Sequence, residues 1–234
     1  PLEIVMLDRE LNYLFPSDDL NDAAEGLFGN KSTLTSVTLG DNVKTLSPYM
    51  FAKSGITTLN LNKVETIADN ALANLALTSL TIPGNVMTIG NSVFANCDKL
   101  ASLTFEPNSD GKELSISSNA GFGPFYHCPL TTLNLNRELK YSIPGVDGSG
   151  LFGAKTELTK VTLGDQVKTL SPHMFAGSGI TSLDLNKVET IQTRALARLA
   201  MTSLTIPGNV MTIENNVFEG CKSLAELVFL PHSE

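Results

Sequence analysis

The sequence predicts a curved, right-handed solenoid of about ten stacked coils, built of short β-strands, turns and single helical turns. Three observations predict it. Residues 27–107 align with 151–231 at a constant offset of 124, without a gap and with 23 differences in 81 positions. Repetition on this scale marks an array of stacked units. Inside each block runs a shorter unit: L-x-x-[L/V]-x-[L/I/F], then V-x-x-[I/L], and four residues later an apolar pair or Phe. The differences between the blocks fall between the apolar positions of that unit. Ser36 becomes Lys160, Asn60 becomes Asp184, Asp69 becomes Thr193, Asn70 becomes Arg194 and Lys99 becomes Ser223.

The coils start at Leu2, Leu34, Ile56, Leu77, Leu100, Leu130, Leu158, Ile180, Met201 and Leu224. Regular steps are 21 to 23 residues, and steps holding long loops are 28 to 32. Each coil opens on a strand. In "SLTIP" (79–83), Leu80 and Ile82 face one way and Ser79 and Thr81 the other. One coil cannot bury its apolar side alone, but stacked coils bury a shared one. "PGN" then supplies turn chemistry. "SPYMF" (47–51), "DNALA" (69–73) and "NSVFA" (91–95) each place a Ser, Asp or Asn cap ahead of a predicted helical turn. Pro48 suits a first helical position.

Upstream, "PLEIVMLDRELNY" (1–13) matches "PLTTLNLNRELKY" (129–141) at an offset of 128. The chain therefore reads as one continuous unit, residues 1–234, made of two tandem five-coil blocks (1–128 and 129–234), the second truncated. It begins and ends in mid-unit. This predicts either a longer protein or open ends that pair with other molecules.

Composition narrows the function. Acidic residues outnumber basic ones 24 to 16, for a net charge of −8, and no Lys/Arg-rich run occurs. Nucleic acid and anionic membrane surfaces are disfavoured as partners. No apolar run reaches transmembrane length, and no leader is visible. Three Cys do not make a disulfide framework and leave the redox compartment open.

"LTSLTIPGNVMTIGNSVFANCDKLASLTF" (77–105) resembles a leucine-rich repeat of the BspA-like, or Treponema, type: L-x-x-[I/V]-x-[I/L]-P-x-x-V-x-x-I-x-x-x-A-F-x-x-C-x-x-L. Departures are local. Leu72 and Leu75 replace the Phe and Cys in coil 56–76, and Ser54 replaces the Cys in coil 34–55. The resemblance implies a strand-lined concave face. It also implies an extracellular or cell-surface protein of host-associated bacteria or parasitic protists that adheres to or binds host proteins. It carries no catalytic motif, cofactor or metal site to transfer.

The residues themselves agree on the last point. His127, His173 and His232 are scattered, and no nucleophile–base set can be inferred. "GVDGSG" (145–150) lacks the Lys-Ser/Thr of a phosphate loop. "SDDLND" (17–22) lacks the spacing of a calcium loop and reads as a solvated acidic loop. Cys97, Cys128 and Cys221 share one template slot, where a small buried packing residue is expected. A Cys97–Cys128 disulfide between neighbouring coils is the alternative.

Two surfaces could take a macromolecular partner. The concave face presents a carpet of hydroxyls and amides that includes Asn60, Asn134, Lys160 and Asp184. Thr also simply suits exposed strands. Sugar stacking would need aromatic platforms, which this face lacks. The second surface is the edge where insertions 106–123 and 137–150 should emerge together. It would carry Glu106, Asp110, Lys112, Arg137, Glu138, Tyr141 and Asp147. In the last coil Thr104 becomes Val228 and Glu106 becomes Leu230 on the solvent face, which predicts contact there, with end-to-end self-association as one form of it. A non-enzymatic recognition or adhesion module is the expectation. A structural spacer or accessory domain of a larger surface protein is the alternative.

Overall fold

The computed structural model describes residues 1–11, 26–117, 123–141 and 150–232. Its strands, in chain order, begin with β1 (Ile4–Leu7), β2 (Ser36–Leu39), β3 (Thr45–Leu46) and β4 (Thr66–Ile67). Next come β5 (Ser79–Ile82), β6 (Thr88–Ile89), β7 (Ser102–Phe105), β8 (Leu114–Ile116), β9 (Thr132–Leu135) and β10 (Leu139–Tyr141). The second block continues with β11 (Lys160–Leu163), β12 (Thr169–Leu170), β13 (Thr190–Ile191), β14 (Ser203–Ile206), β15 (Thr212–Ile213) and β16 (Glu226–Phe229).

Every ladder is parallel, as stacking of like coils requires. The four-residue strands form one wall, with β5, β7, β9 and β11 paired in sequence order of their coils. The short strands form a second wall, β3–β4–β6–β8–β10. Ladder partners are template equivalents: Leu80 pairs with Leu103, Leu103 with Leu133, and Leu133 with Val161. Their inward side chains join one buried cluster running from Val5 to Val217.

The third wall corrects the predicted helical turns, since no helix forms among the described residues. After each cap the chain visits the left-handed region at residues four apart: Tyr49 and Lys53, Asn70 and Asn74, Ser92 and Asn96, with φ between 51° and 59°. Left-handed residues interrupt a helix. The N–H groups so released reach the next coil. Tyr49, Phe51 and Lys53 donate to the carbonyls of Asp69, Ala71 and Ala73 at 2.9–3.1 Å. Residues between them close local turns, as Met50 does to Ser47. Stacking replaces the internal bonding of a helix. The Phe slot inside this wall forms a column: Phe94 on Phe125 at 5.4 Å, Phe125 on Phe152 at 5.6 Å, Phe152 on Phe175 at 5.9 Å.

The stack comes to about seven turns, fewer than the ten coils counted in the sequence. The coils starting at Ile56 and Ile180 form no strand in the first wall, and β16 only begins the last one. The cause in the first two is local. Asn62 and Asn186 sit at φ 45°, where the side-chain Oδ1 of Asn60 or Asp184 accepts their N–H at 2.9 Å.

The two blocks also show one compensated contact. The Asp69 Oδ1 accepts the Asn91 N–H at 2.7 Å, and a Cβ on Gly90 would collide with Asp69. In the second block Asp69 is Thr193 and Gly90 is Glu214. There the bond reverses across the same gap: Glu214 Oε2 accepts the Thr193 N–H at 2.8 Å.

Candidate binding surfaces

Side chains on the outer side of the first wall are open to solvent. β5 alternates exposed and buried, with Ser79 and Thr81 outward. Lys160 is exposed at the start of β11, opposite Thr132. Asn134 is half-buried, and its Nδ2 donates to Thr104 Oγ1 at 3.2 Å. Asn60 and Asp184 are exposed but already hold the Asx turns just described, so each has one oxygen committed to the scaffold.

The edge divides into exposed and structural residues. Glu106, Asp110 and Lys112 are exposed, with Lys112 Nζ 2.9 Å from Asp110 Oδ2. That pair holds the Asp110 carboxyl below its ordinary value. Asp147 lies outside the described residues.

Arg137 overturns its expected exposure: it is 0% exposed. Its Nη1 donates to the carbonyls of Val86 at 2.7 Å and Gly84 at 3.2 Å, and Nη2 to Lys112 O at 3.0 Å. Its Nε has no hydrogen-bond partner among the described residues. No carboxylate balances the charge in these contacts, and burial lowers its pKa. A long cation spans coils here, joining the carbonyls of Gly84 and Val86 to that of Lys112 in the insertion.

Glu138 also serves the scaffold. Its Oε2 accepts the N–H groups of Lys168 at 2.7 Å and Thr169 at 3.2 Å. In regular coils a main-chain carbonyl does this, as Glu65 O does for Met87 and Thr88. Burial raises the Glu138 carboxyl, and the two N–H donors oppose the shift. Tyr141 packs against the core, its hydroxyl donating to Pro172 O at 3.3 Å, and burial pushes its phenol up.

Sequence reasoning missed Asn108 and Gln166. Asn108 Nδ2 donates to Gly84 O at 2.7 Å, and its Oδ1 accepts the N–H of Asp110 at 2.9 Å and of Lys112 at 3.1 Å. Gln166, 58 residues away, bonds the Asn108 main chain twice: Oε1 to its N–H at 3.0 Å and Nε2 to its carbonyl at 2.8 Å. Together with Arg137 they clamp the base of the insertion. One signal for Arg137 and Glu138 was present. The pair recurs as Arg9-Glu10, and Glu10 Oε2 likewise accepts the Lys44 N–H at 2.7 Å. The glutamate is scaffold in both copies, whereas the arginine is buried at 137 and exposed at 9.

The cysteines fill the packing slot as thiols, without a Cys97–Cys128 disulfide. Cys97 Sγ donates to Leu72 O at 3.3 Å, and Cys128 Sγ to Phe94 O at 3.1 Å. Burial pushes them up to about 12 and about 11. Among the described residues no group of three or more His, Cys, Asp or Glu is placed to hold a metal ion, and no helix is long and apolar enough to cross a membrane.

The model of the BspA type leucine rich repeat region matches residues 21–146 and 148–233. The chain belongs to the BspA-type leucine-rich repeat family. A leucine-rich repeat protein of Bacteroides ovatus has the same fold, with a TM-score of 0.58 at 16% identity over 98% of this chain and 55% of that one. A leucine-rich cell surface protein of Faecalibacterium prausnitzii aligns at 19% identity over 97% of this chain and 60% of its own, with a TM-score of 0.43. The pneumococcal vaccine antigen PcpA aligns at 18% identity over 84% of this chain and 62% of its own, with a TM-score of 0.31. The chain thus spans 55–60% of the length of the first two. No curated protein matches the sequence.

Proposed function

We propose that the chain is a non-enzymatic recognition module of a surface or secreted protein. It binds an extended protein, or another macromolecule, along the outer side of the first wall and the edge formed by 106–117. Residues 1–234 act as one continuous unit in this reading. The observation that carries it is the clamp at Asn108, Arg137 and Gln166. A buried hub holds the insertion in one place, so that Glu106, Asp110 and Lys112 stand in fixed positions beside the hydroxyl-lined wall. Such preorganisation lowers the ordering cost of binding. Membership of the family supports extracellular placement.

The test is binding of the immobilised chain to a panel of extracellular-matrix proteins. A variant changed together at Glu106→Gln, Asp110→Asn, Lys112→Gln, Lys160→Ser and Asp184→Asn leaves the buried clamp intact. It should weaken binding at least about tenfold, which is about 1.4 kcal/mol. Unchanged affinity would rule out these surfaces. Absence of any partner across the panel would favour a structural spacer.

A further inference from the structure

Differences between the two blocks gather on the solvent side of the third wall. Tyr49, Asn70 and Asn74 of the first block are His173, Arg194 and Arg198 in the second. In the second wall, by contrast, Thr45, Thr66 and Thr88 recur as Thr169, Thr190 and Thr212. Both arginines stand in the left-handed region, Arg194 at φ 57° and Arg198 at φ 58°, where the first block has Asn70 at 57° and Asn74 at 59°. Asn tolerates that region better than Arg does. Local preference is overridden in this way where a side chain has a task of its own.

The three side chains form one cluster. Arg194 Nε donates to Glu219 Oε2 at 2.6 Å, and the arginine side chain keeps 42% of its surface open. Burial first, and then the charges of Arg194 and Arg198, lower the His173 pKa, opposed by Glu219. Arg198 is exposed, and no ion pair among the described residues involves it. Gly220, in the place of Asn96, leaves it room: a Cβ there would stand 3.1 Å from Arg198 Cγ. On the other side Gly177 replaces Lys53, and a Cβ added at 177 would meet nothing closer than 4.0 Å.

The same slot carries an aromatic residue three coils earlier. His127, Ala154, Gly177 and Arg198 follow one another at φ 55–69°. His127 is exposed, its ring stacked on Tyr126 at 3.8 Å and its Nδ1 3.1 Å from Asn96 Oδ1. Three coil spacings of about 4.8 Å put this platform about 14 Å from Arg198. The first wall lacks an aromatic platform, whereas the third has one in line with a cation.

We propose that the third wall binds an acidic polysaccharide, with a sugar ring stacked on His127 and Tyr126 and a carboxylate or sulfate held by Arg198 and Arg194. An aromatic face accepts the apolar side of a sugar ring. A guanidinium fork matches two oxygens of either anion. The charge complementarity is local, since the whole chain carries −8, and recognition is confined to this cluster. The surface is separate from the first wall and the insertion, so its binding is independent of the protein recognition proposed for those.

The experiment is biolayer interferometry of the 234-residue chain against polygalacturonate, dextran sulfate, neutral dextran and poly-glutamate. At least one of the two acidic polysaccharides should bind in a salt-sensitive manner, and the tighter of them identifies the anion. Neutral dextran should not bind, and poly-glutamate, which has charge without sugar rings, should bind more weakly. The double variant Arg194→Asn, Arg198→Asn carries the residues of the first block, so it keeps the fold, and its thermal melt checks this. It should lose at least about tenfold in affinity. Lys44→Gln with Lys168→Gln removes the same charge from the second wall, where each lysine pairs with a glutamate. That variant should stay within about twofold of the parent. His127→Ala should weaken binding about three- to tenfold. Failure of both acidic polysaccharides to bind, poly-glutamate binding as tightly as they do, a loss no larger in the arginine variant than in the lysine variant, or unchanged affinity in His127→Ala would each overturn the proposal.

Discussion

Replacing Arg137 by Ala tests whether this residue is scaffold. The guanidinium donates to three carbonyls. Gly84 O keeps the Asn108 amide when Arg137 is gone. Val86 O and Lys112 O are left without that donor. A buried carbonyl stripped of its partner costs about 1–3 kcal/mol, so the two together cost about 4 kcal/mol. Truncating a fully buried long side chain adds about 2 kcal/mol of lost packing. Relief of the buried, unpaired charge returns about 2 kcal/mol of that total. The net expectation is about 4 kcal/mol of destabilisation, or a fall in melting temperature of about 10 °C for a chain of this size. Arg9 is the internal control, since it is the equivalent residue in the other block but exposed. Arg9→Ala should change stability by less than about 0.5 kcal/mol. Urea unfolding followed by circular dichroism measures both. Equal effects of the two substitutions would refute the clamp.

Four further outcomes follow from the same geometry. Glu138→Ala should cost about 2 kcal/mol by orphaning the Lys168 and Thr169 N–H groups, read as a shift in urea midpoint. Burial raises the Glu138 carboxyl, so the folded state binds its proton more tightly than the unfolded chain does. Its contribution to stability therefore declines as pH rises from the ordinary value of 4.5 through the raised one. Glu138→Gln should flatten that decline, and a pH-independent offset between Glu138→Gln and the parent would contradict the assignment. Gly90→Glu alone should destabilise by about 2 kcal/mol through its collision with Asp69, and adding Asp69→Thr should recover at least half. Simple additivity of the two changes would show that the contacts are uncoupled. Arg198 sits at φ 58°, where the first block has Asn74 at φ 59°. Arg198→Asn should stabilise by about 0.5 kcal/mol, since Asn tolerates that region, and a loss of thermal stability would count against the reasoning. With a neutral-pH thiol reagent, native Cys97 and Cys128 should stay unlabelled while denaturant exposes all three cysteines. Rapid native labelling of either would contradict their burial.

Much of the edge was legible in sequence as an insertion but not as a structure. Residues 106–123 break the coil period, and a break in period is visible along the chain. What holds an insertion down is not, because Gln166 reaches Asn108 across 58 positions and Arg137 spans two coils. Glu106, Asp110 and Lys112 remain at the surface, while Arg137, Glu138 and Tyr141 turn inward. All six are polar or amphipathic residues at loop ends, and composition cannot separate a carboxylate that meets water from one that replaces a missing carbonyl. The helical turns failed for a related reason. A cap followed by apolar residues satisfies the local rules of a helix. The left-handed residues that break it are stabilised by hydrogen bonds to the next coil, which no local window contains.

The sequence alone determined the coil, its period and its inward face, because those depend on side-chain periodicity, and one buried position per strand turn repeats visibly. It also determined the duplication, and with it which residues the two blocks exchange freely. The tertiary structure decided the partners of the polar groups. Stacking sets each coil's carbonyls and N–H groups against those of a neighbour about twenty residues away, and wherever the stack is interrupted a side chain must complete the bond. Arg137, Glu138, Asn108 and Asn60 are among those side chains.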